Sequence, residues 1–95
     1  MPKPKNKAID QFFKGILSLN SIEECYKFFD DACTIQEIEA ISQRFDVACK
    51  LSEGNNIPEV NKLTGVSAAT ISRVNKCLNY GDGGYKMVID RLQSK

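Results

Sequence analysis

The side chains best suited to chemistry in this 95-residue chain are hydroxyl and cationic donors gathered in one stretch of its second half. Thr70 and Ser72 carry hydroxyl groups, and Arg73 carries a permanent positive charge. Donors of these two kinds are common partners of the phosphate oxygens of nucleic acids. Small residues come directly before them, which would let a helix lie deep in a groove. The candidate DNA-binding residues are Ser67, Ala68, Ala69, Thr70, Ser72, Arg73, Lys76 and Lys62.

The segment that carries these donors, about residues 57–80, has the pattern of two short helices joined by a tight turn. Gly65 lies where such a turn needs a positive φ, which costs little only for glycine. Ser67 can cap the second helix by accepting a hydrogen bond from a backbone N–H one turn later. Apolar residues at helical spacing predict a core shared by both helices. They are Val60, Leu63, Val66, Ile71, Val74 and Leu78.

Two interpretations of this segment are open. A buried helical hairpin with a solvated charged face would explain the apolar spacing alone. The combination of turn glycine, capping serine, small first turn and Arg73 in one register favours a helix-turn-helix that reads DNA.

The charge distribution is uneven although the net charge is only +1. Residues 1–20 carry four lysines and one acid, residues 21–56 carry eight acids and three bases, and residues 57–95 carry six bases and three acids. Positive charge therefore accompanies the predicted helix-turn-helix, as binding to phosphates requires. No stretch is basic enough to establish DNA binding by itself.

The chain as a whole predicts an all-α fold of about six short helices, with one domain over residues 9–95. Residues 1–8 contain lysine and proline without periodicity, which predicts a flexible basic arm. An amphipathic helix follows from Ile9 to about Leu19. Glycines at 81, 83 and 84 interrupt the chain before a last amphipathic helix, whose apolar face contains Tyr85, Val88, Ile89 and Leu92.

Two capping boxes predict the starts of the second and third helices. Ser21 with Glu24 opens the second, and Thr34 with Glu37 opens the third, which extends to a natural cap at Gly54. The residues expected to face inward from the third helix are Ile35, Ile38, Ile41, Phe45, Ala48 and Leu51.

Most of these helices have a full apolar stripe, more than one small chain can cover. Two chains that share their N-terminal, central and C-terminal helices would form a larger core. The two motif helices would then be related by a two-fold axis, which suits half-sites about 34 Å apart. The sequence thus predicts a homodimer.

Other classes of protein fit the sequence poorly. The chain has no histidine and no C-x-x-C pair, so no metal site is expected. Cys25, Cys33 and Cys49 fall on apolar stripes, where core packing explains them, and Cys77 follows on the motif helix.

No acids converge on a pocket and no phosphate-binding loop is present, so an enzyme is not expected. Apolar stretches are short and no signal peptide is evident, which predicts no membrane association and a cytoplasmic location.

The residues from Thr34 to Leu92 resemble the Trp repressor superfamily. Residues 69–73, Ala-Thr-Ile-Ser-Arg, resemble the start of the recognition helix, and residues 78–85, Leu-Asn-Tyr-Gly-Asp-Gly-Gly-Tyr, resemble the YerC/YecD group within it. The resemblance implies an all-helical, intertwined homodimer that represses transcription by occupying a palindromic operator. A helical dimer that binds another protein is the alternative function.

The resemblance also implies a possible effector pocket, formed by Thr34, Arg44, Arg73, Val74 and Cys77. Val74 stands where that family has a glycine beside the bound indole, and Cys77 stands where it has a serine. A β-branched side chain would clash with a flat ring, and a thiol is a poor acceptor. We therefore expect no cofactor and no response to tryptophan, while another small-molecule effector stays open.

The operator should differ too, because Pro58 and Asn61 stand where that family has basic residues. A bidentate arginine contact to guanine is absent there. The small residues Ala68 and Ala69 suit readout through water or DNA shape, with modest affinity.

Overall fold

The protein is described over residues 5–94 from a computed structural model. This part of the chain contains six α-helices and no strand, which confirms the all-α prediction. The helices are α1 (Lys7–Leu17), α2 (Ile22–Ala32), α3 (Ile35–Ser52), α4 (Ile57–Thr64), α5 (Ala68–Tyr80) and α6 (Gly84–Gln93). The residues form two compact units whose boundary lies within α3, between Ile38 and Glu39.

Helix α1 begins inside the segment that the sequence assigns to the arm. The side chain of Asn6 accepts a hydrogen bond from the N–H of Ile9 at 2.9 Å, so Asn6 is the cap. Lys7 and Ala8 therefore form the first turn of α1 rather than part of an arm. Residues 1–4 of the predicted arm lie outside the described residues. The helix ends at Leu17, two residues before the predicted end.

The capping predictions are confirmed with one change. At α2, Ser21 accepts from the N–H of Glu24 at 3.1 Å, but the Glu24 carboxylate accepts from the N–H of Asn20 at 2.8 Å instead of from Ser21. At α3, Thr34 and Glu37 bond reciprocally, as predicted. Short polar side chains thus start both helices by satisfying free backbone donors.

Aromatic rings from two helices meet in the first unit. Phe12 of α1 lies 5.9 Å from Phe28 and 6.4 Å from Phe29 between ring centroids, and the two α2 rings meet edge to face at 5.2 Å. Such edge contacts are favourable for aromatic pairs. Yet neither helix contains a fully buried residue, and Leu17 is 82% exposed. The first unit therefore leaves much of its apolar surface uncovered within one chain.

The second unit contains the buried core. Its members are Val47, Ala48, Val60, Val66, Ile71, Val74 and Ile89, with Phe45, Cys49, Leu51, Ile57 and Tyr85 packed against them. Val47, which the sequence did not place inward, is completely buried. Three predicted inward residues of α3, Ile35, Ile38 and Ile41, are instead exposed in the single chain. In α6, Val88 and Leu92 are likewise exposed, whereas Ile89 is buried.

The connection from α5 to α6 depends on a close backbone approach at Gly81. Its N–H donates to the carbonyl of Cys77 at 2.9 Å and closes the last turn of α5. A Cβ atom placed on Gly81 would collide with that same carbonyl. Since its φ of −85° is open to any residue, crowding and not torsion makes glycine necessary there.

Candidate nucleic-acid interface

Helices α4 and α5 lie within residues 57–80, the segment in which the sequence predicts a helix-turn-helix. Gly65 has φ 75° and ψ 1°, the left-handed conformation expected for the turn, and its N–H donates to the carbonyl of Asn61. Ser67 is the cap of α5, and its hydroxyl accepts from the N–H of Thr70 at 3.3 Å. The local sequence thus ends one helix and starts the next within three residues.

Helix α4 also starts with a capping box, which sequence reasoning missed. Asn56 accepts from the N–H of Glu59 at 2.9 Å, and the Glu59 carboxylate accepts from the N–H of Asn56 at 2.7 Å. Pro58 lies in this first turn, where a missing backbone donor costs nothing. An asparagine three residues before a glutamate was the signal available in the sequence.

The apolar face of the motif is buried almost as predicted. Val60 and Ile71 are completely buried, and Val66, Val74 and Leu78 are nearly so. The prediction for Leu63 was wrong, because this side chain is 62% exposed. Leu63 lies in the last turn of α4, where the chain turns away at Gly65 and no described element covers it.

Two polar side chains of α4 hold the turn, a role that the sequence did not indicate. Nδ2 of Asn61 donates to the carbonyl of Val66 at 2.7 Å. Oγ1 of Thr64 donates to the carbonyl of Val60 at 2.7 Å and accepts from the N–H of Val66 at 3.1 Å. Asn61, taken from the sequence as a lost DNA contact, is thus engaged within the protein.

The predicted DNA-binding side chains lie on the outer face of the motif. Thr70 is half-buried, and the others are exposed: Ser67, Ala68, Ala69, Ser72, Arg73, Lys76 and Lys62. Within residues 5–94 the one ion pair joins Lys50 to Asp46 at 2.8 Å, so the cations of this face have no acidic partner there. An exposed cation without an internal partner can meet a phosphate at little cost in desolvation.

The hydroxyl of Thr70 also has a free donor. Ser67 Oγ donates to Thr70 Oγ1 at 3.1 Å, so Thr70 acts as an acceptor in that bond. A hydroxyl has one donor and two acceptor positions, which leaves the Thr70 O–H available to an external acceptor. The capping arrangement therefore presents a hydroxyl donor beside the two alanines.

The residues of the expected effector pocket have different surroundings. Arg44, Arg73 and Cys77 are exposed, whereas Val74 is 2% exposed and belongs to the core of the second unit. Thr34 lies in the first unit as the cap of α3. Their use as one pocket stays a prediction.

The cysteines are free thiols, and only some lie in apolar surroundings. Cys33 and Cys49 are half-buried, whereas Cys25 is exposed, so the expectation that Cys25 packs in a core is wrong within one chain. Burial raises the pKa of the Cys49 thiol above its usual 9.0, and the charges of Asp46 and Glu53 add to this effect. Cys49 therefore stays protonated at neutral pH and is a poor nucleophile.

Across residues 5–94, no group of acidic and cysteine side chains is arranged to hold a metal ion. No helix in the same range is long and apolar enough to cross a membrane.

The fold and the exposed face of α5 define a small helical protein with a helix-turn-helix. Residues 7–93 match the family profile described as Trp repressor protein. The chain is 53% identical to the protein YerC of Bacillus subtilis (strain 168), whose function is uncharacterised, over 91 residues that cover 96% of this chain and 88% of that protein. The chain belongs to the Trp repressor family, and its similarity to YerC confirms the resemblance to the YerC group.

Two crystal structures resemble the fold closely. A TrpR-like protein from Eubacterium eligens ATCC 27750 matches with a TM-score of 0.89 and 50% identity, covering 94% of this chain and 92% of that one. A candidate Trp repressor from Staphylococcus aureus matches with a TM-score of 0.89 and 42% identity, covering 96% and 91%. At these identities the likeness extends beyond the fold to the amino-acid sequence.

Proposed function

We propose that this chain is a sequence-specific transcriptional regulator, acting as a repressor, that binds a palindromic operator in double-stranded DNA as a homodimer. The observation that carries the proposal is the exposed outer face of the first half of α5. Ala68 and Ala69 leave room for a groove wall, and Arg73 follows with no acidic partner among the described residues. A regulator of this kind acts in the cytoplasm, where the DNA is.

The homodimer is supported by the apolar surface that one chain leaves open. Large exposed side chains occur on α1, α2, α3 and α6, in both units. They include Phe13, Leu17, Ile22, Tyr26, Ile35, Ile41, Met87 and Leu92. Burial of apolar surface contributes about 25 cal/mol per Å², so a second copy that covers this surface would be bound stably. Two-fold symmetry would then present two α5 helices to two half-sites.

The proposed readout relies on phosphates and DNA shape more than on base contacts. Pro58 occupies the first turn of α4, and the amide of Asn61 is used inside the turn. Neither residue offers the bidentate donor that recognises guanine. Specificity would come from the fit of the alanine-lined turn, from bridging water and from the deformability of the operator.

The proposal is tested by titrating the protein against the DNA upstream of its own gene over a salt series. Affinity should fall steeply with salt, because binding releases counterions from the phosphates. Arg73→Ala should weaken binding to every DNA sequence and reduce the salt slope by about one contact. Arg91→Ala removes the same charge from an exposed site on α6 and is the matched control, so it should bind as the wild type does.

A module that binds another protein is the second candidate. The net charge of +1 is low for a nucleic-acid partner, and Leu63 and Tyr80 expose apolar surface at the ends of the two motif helices. Absence of binding at low salt to the upstream DNA and to a genomic fragment library would favour this candidate. A steep salt dependence with a defect confined to Arg73→Ala would exclude it as the main function.

A further inference from the structure

Val66 is the last residue before the cap of α5, and the protein fixes it from three directions. Its carbonyl accepts from the amide of Asn61, and its N–H donates to the hydroxyl of Thr64. Its side chain is buried in the core of the second unit. Both hydrogen-bond partners come from α4, so the bonds cross the turn and tie the start of α5 to the preceding helix.

Asn61 is used twice in this arrangement. Its backbone carbonyl accepts from the N–H of Gly65 at 2.8 Å, which closes α4 on the left-handed glycine. Its side-chain amide then reaches past the glycine to Val66 at 2.7 Å. Asn61 therefore closes the last turn of α4 through its backbone carbonyl. Through its side chain it also holds the carbonyl of Val66, just before α5.

We propose that Asn61 is a positioning residue for DNA recognition, which fixes the direction of α5 through Val66 and does not itself contact the operator. The inference rests on the proposed function. A recognition helix that is held in place before binding loses less conformational entropy when it meets DNA. The hydrogen bond of the Asn61 amide to the Val66 carbonyl supplies that restraint.

The chemistry at this position is specific. The Val66 carbonyl needs a hydrogen-bond donor. Asn61 lies about one turn before the end of α4, and its short amide side chain spans the distance from there to Val66. Asn61→Leu keeps the number and branching of the side-chain heavy atoms but removes the donor, whereas Asn61→Asp would also add a negative charge beside DNA. Thr64→Val is nearly the same size as the wild type and removes the partner of the Val66 N–H, so it tests the same restraint from the other side.

Hydrogen exchange on the free protein measures the restraint without DNA. The N–H groups of Thr70 and Ile71 donate to Ser67 and report on the first turn of α5. In Asn61→Leu and in Thr64→Val they should exchange about five- to tenfold faster, as expected for loss of one hydrogen bond, while the amides of α3 do not change. Unchanged exchange at Thr70 and Ile71 in a folded Asn61→Leu protein would overturn the proposal.

Binding measurements separate positioning from direct contact. Asn61→Leu should weaken binding to a genomic fragment selected by the wild type about fivefold or more, change binding to a shuffled fragment much less, and keep the wild-type salt slope. An equal loss on both fragments would mean that Asn61 contacts the DNA backbone, which is the same in both, and would refute the proposal. If the wild type binds no DNA, the proposed function fails, and the exchange result alone decides whether Asn61 fixes α5.

Discussion

Thr34 and Glu37 exchange two hydrogen bonds at the start of α3. The N–H of Thr34 donates to Oε1 of Glu37 at 2.8 Å, and the N–H of Glu37 donates to Oγ1 of Thr34 at 3.1 Å. The bond from the Thr34 backbone, followed by the contact with its side chain, lowers the pKa of Glu37 below its usual 4.5. The polar groups of Thr34 thus already serve as the helix cap.

The capping box should make stability depend on pH in the acid range. Because the pKa of Glu37 is lower in the folded state than in the unfolded state, its contribution is complete above pH 4.5 and is lost as the pH falls through the lower folded-state value. Glu37→Gln keeps an acceptor but does not titrate, so it should lose less stability than the wild type below pH 4.5. Urea unfolding at a series of pH values measures this, with Glu39→Gln as the control. Parallel curves for Glu37→Gln and the wild type would contradict the assignment.

The homodimer can be tested by sedimentation at micromolar protein concentration, where the wild type should be a folded dimer. Leu17→Glu should shift the equilibrium toward monomer, since the side chain is 82% exposed in one chain and its substitution should harm only an interface. Lys14→Glu, on the same helix, is the control for added negative charge. A wild type that stays a folded monomer would remove the argument for two half-sites.

Substitution of the turn glycine should cost stability through torsion alone. A Cβ on Gly65 meets no atom within 4 Å, but φ 75° disfavours L side chains. Gly65→Ala should therefore lower the free energy of unfolding by about 1 kcal/mol. Asparagine tolerates the left-handed region better, so Gly65→Asn should cost less. Denaturant titration of the two variants checks the order, and equal losses would point to crowding instead.

The cap of α5 allows charge at the proposed DNA face to be changed without unfolding the helix. Aspartate caps helices about as well as serine, so Ser67→Asp should keep the wild-type stability. Its carboxylate would face the phosphates, and affinity for DNA should fall about tenfold or more at low salt. Ser21→Asp makes the same change at the cap of α2, and its binding should stay normal. Normal binding by Ser67→Asp would place the DNA elsewhere.

Tryptophan should not bind this protein. Val74 is 2% exposed and packs in the core of the second unit, where an indole would have to displace it. Calorimetric titration with tryptophan should give no heat of binding, and DNA affinity should not change when it is added. Val74→Ala should lower stability by about 1–3 kcal/mol, as for other truncations in a core. A micromolar response of the wild type would show that Val74 can move aside.

The parts of the fold that the sequence predicts well are those set by local chemistry. Gly65, Ser67 and the box of Thr34 with Glu37 act within one turn of the chain, so type and spacing suffice. Burial was harder to predict, because an apolar stripe shows that a face needs a partner but not which one. Leu63 was expected inside and is exposed, for no described element covers the end of α4.

The sequence indicated which side chains lie on the outer face of the candidate interface, but not which residues hold that face in place. The exposed cations and alanines follow from sequence position along α5. The role of Asn61 could not be foreseen, since its bond to Val66 depends on the path of the turn, and the sequence suggested only a missing DNA contact. Whether Arg73 and its neighbours bind DNA stays a prediction.

The carbonyl of Cys77 makes residue 81 less tolerant of substitution than residue 65, in the turn between α4 and α5. At residue 65 the restriction is torsional, so a selection for folded variants should recover asparagine as well as glycine. At residue 81 the carbonyl of Cys77 fills the space that a Cβ atom would need, and every L side chain begins with a Cβ atom. Saturation mutagenesis should therefore return glycine alone at residue 81, although nothing in its backbone torsions would suggest so strict a requirement.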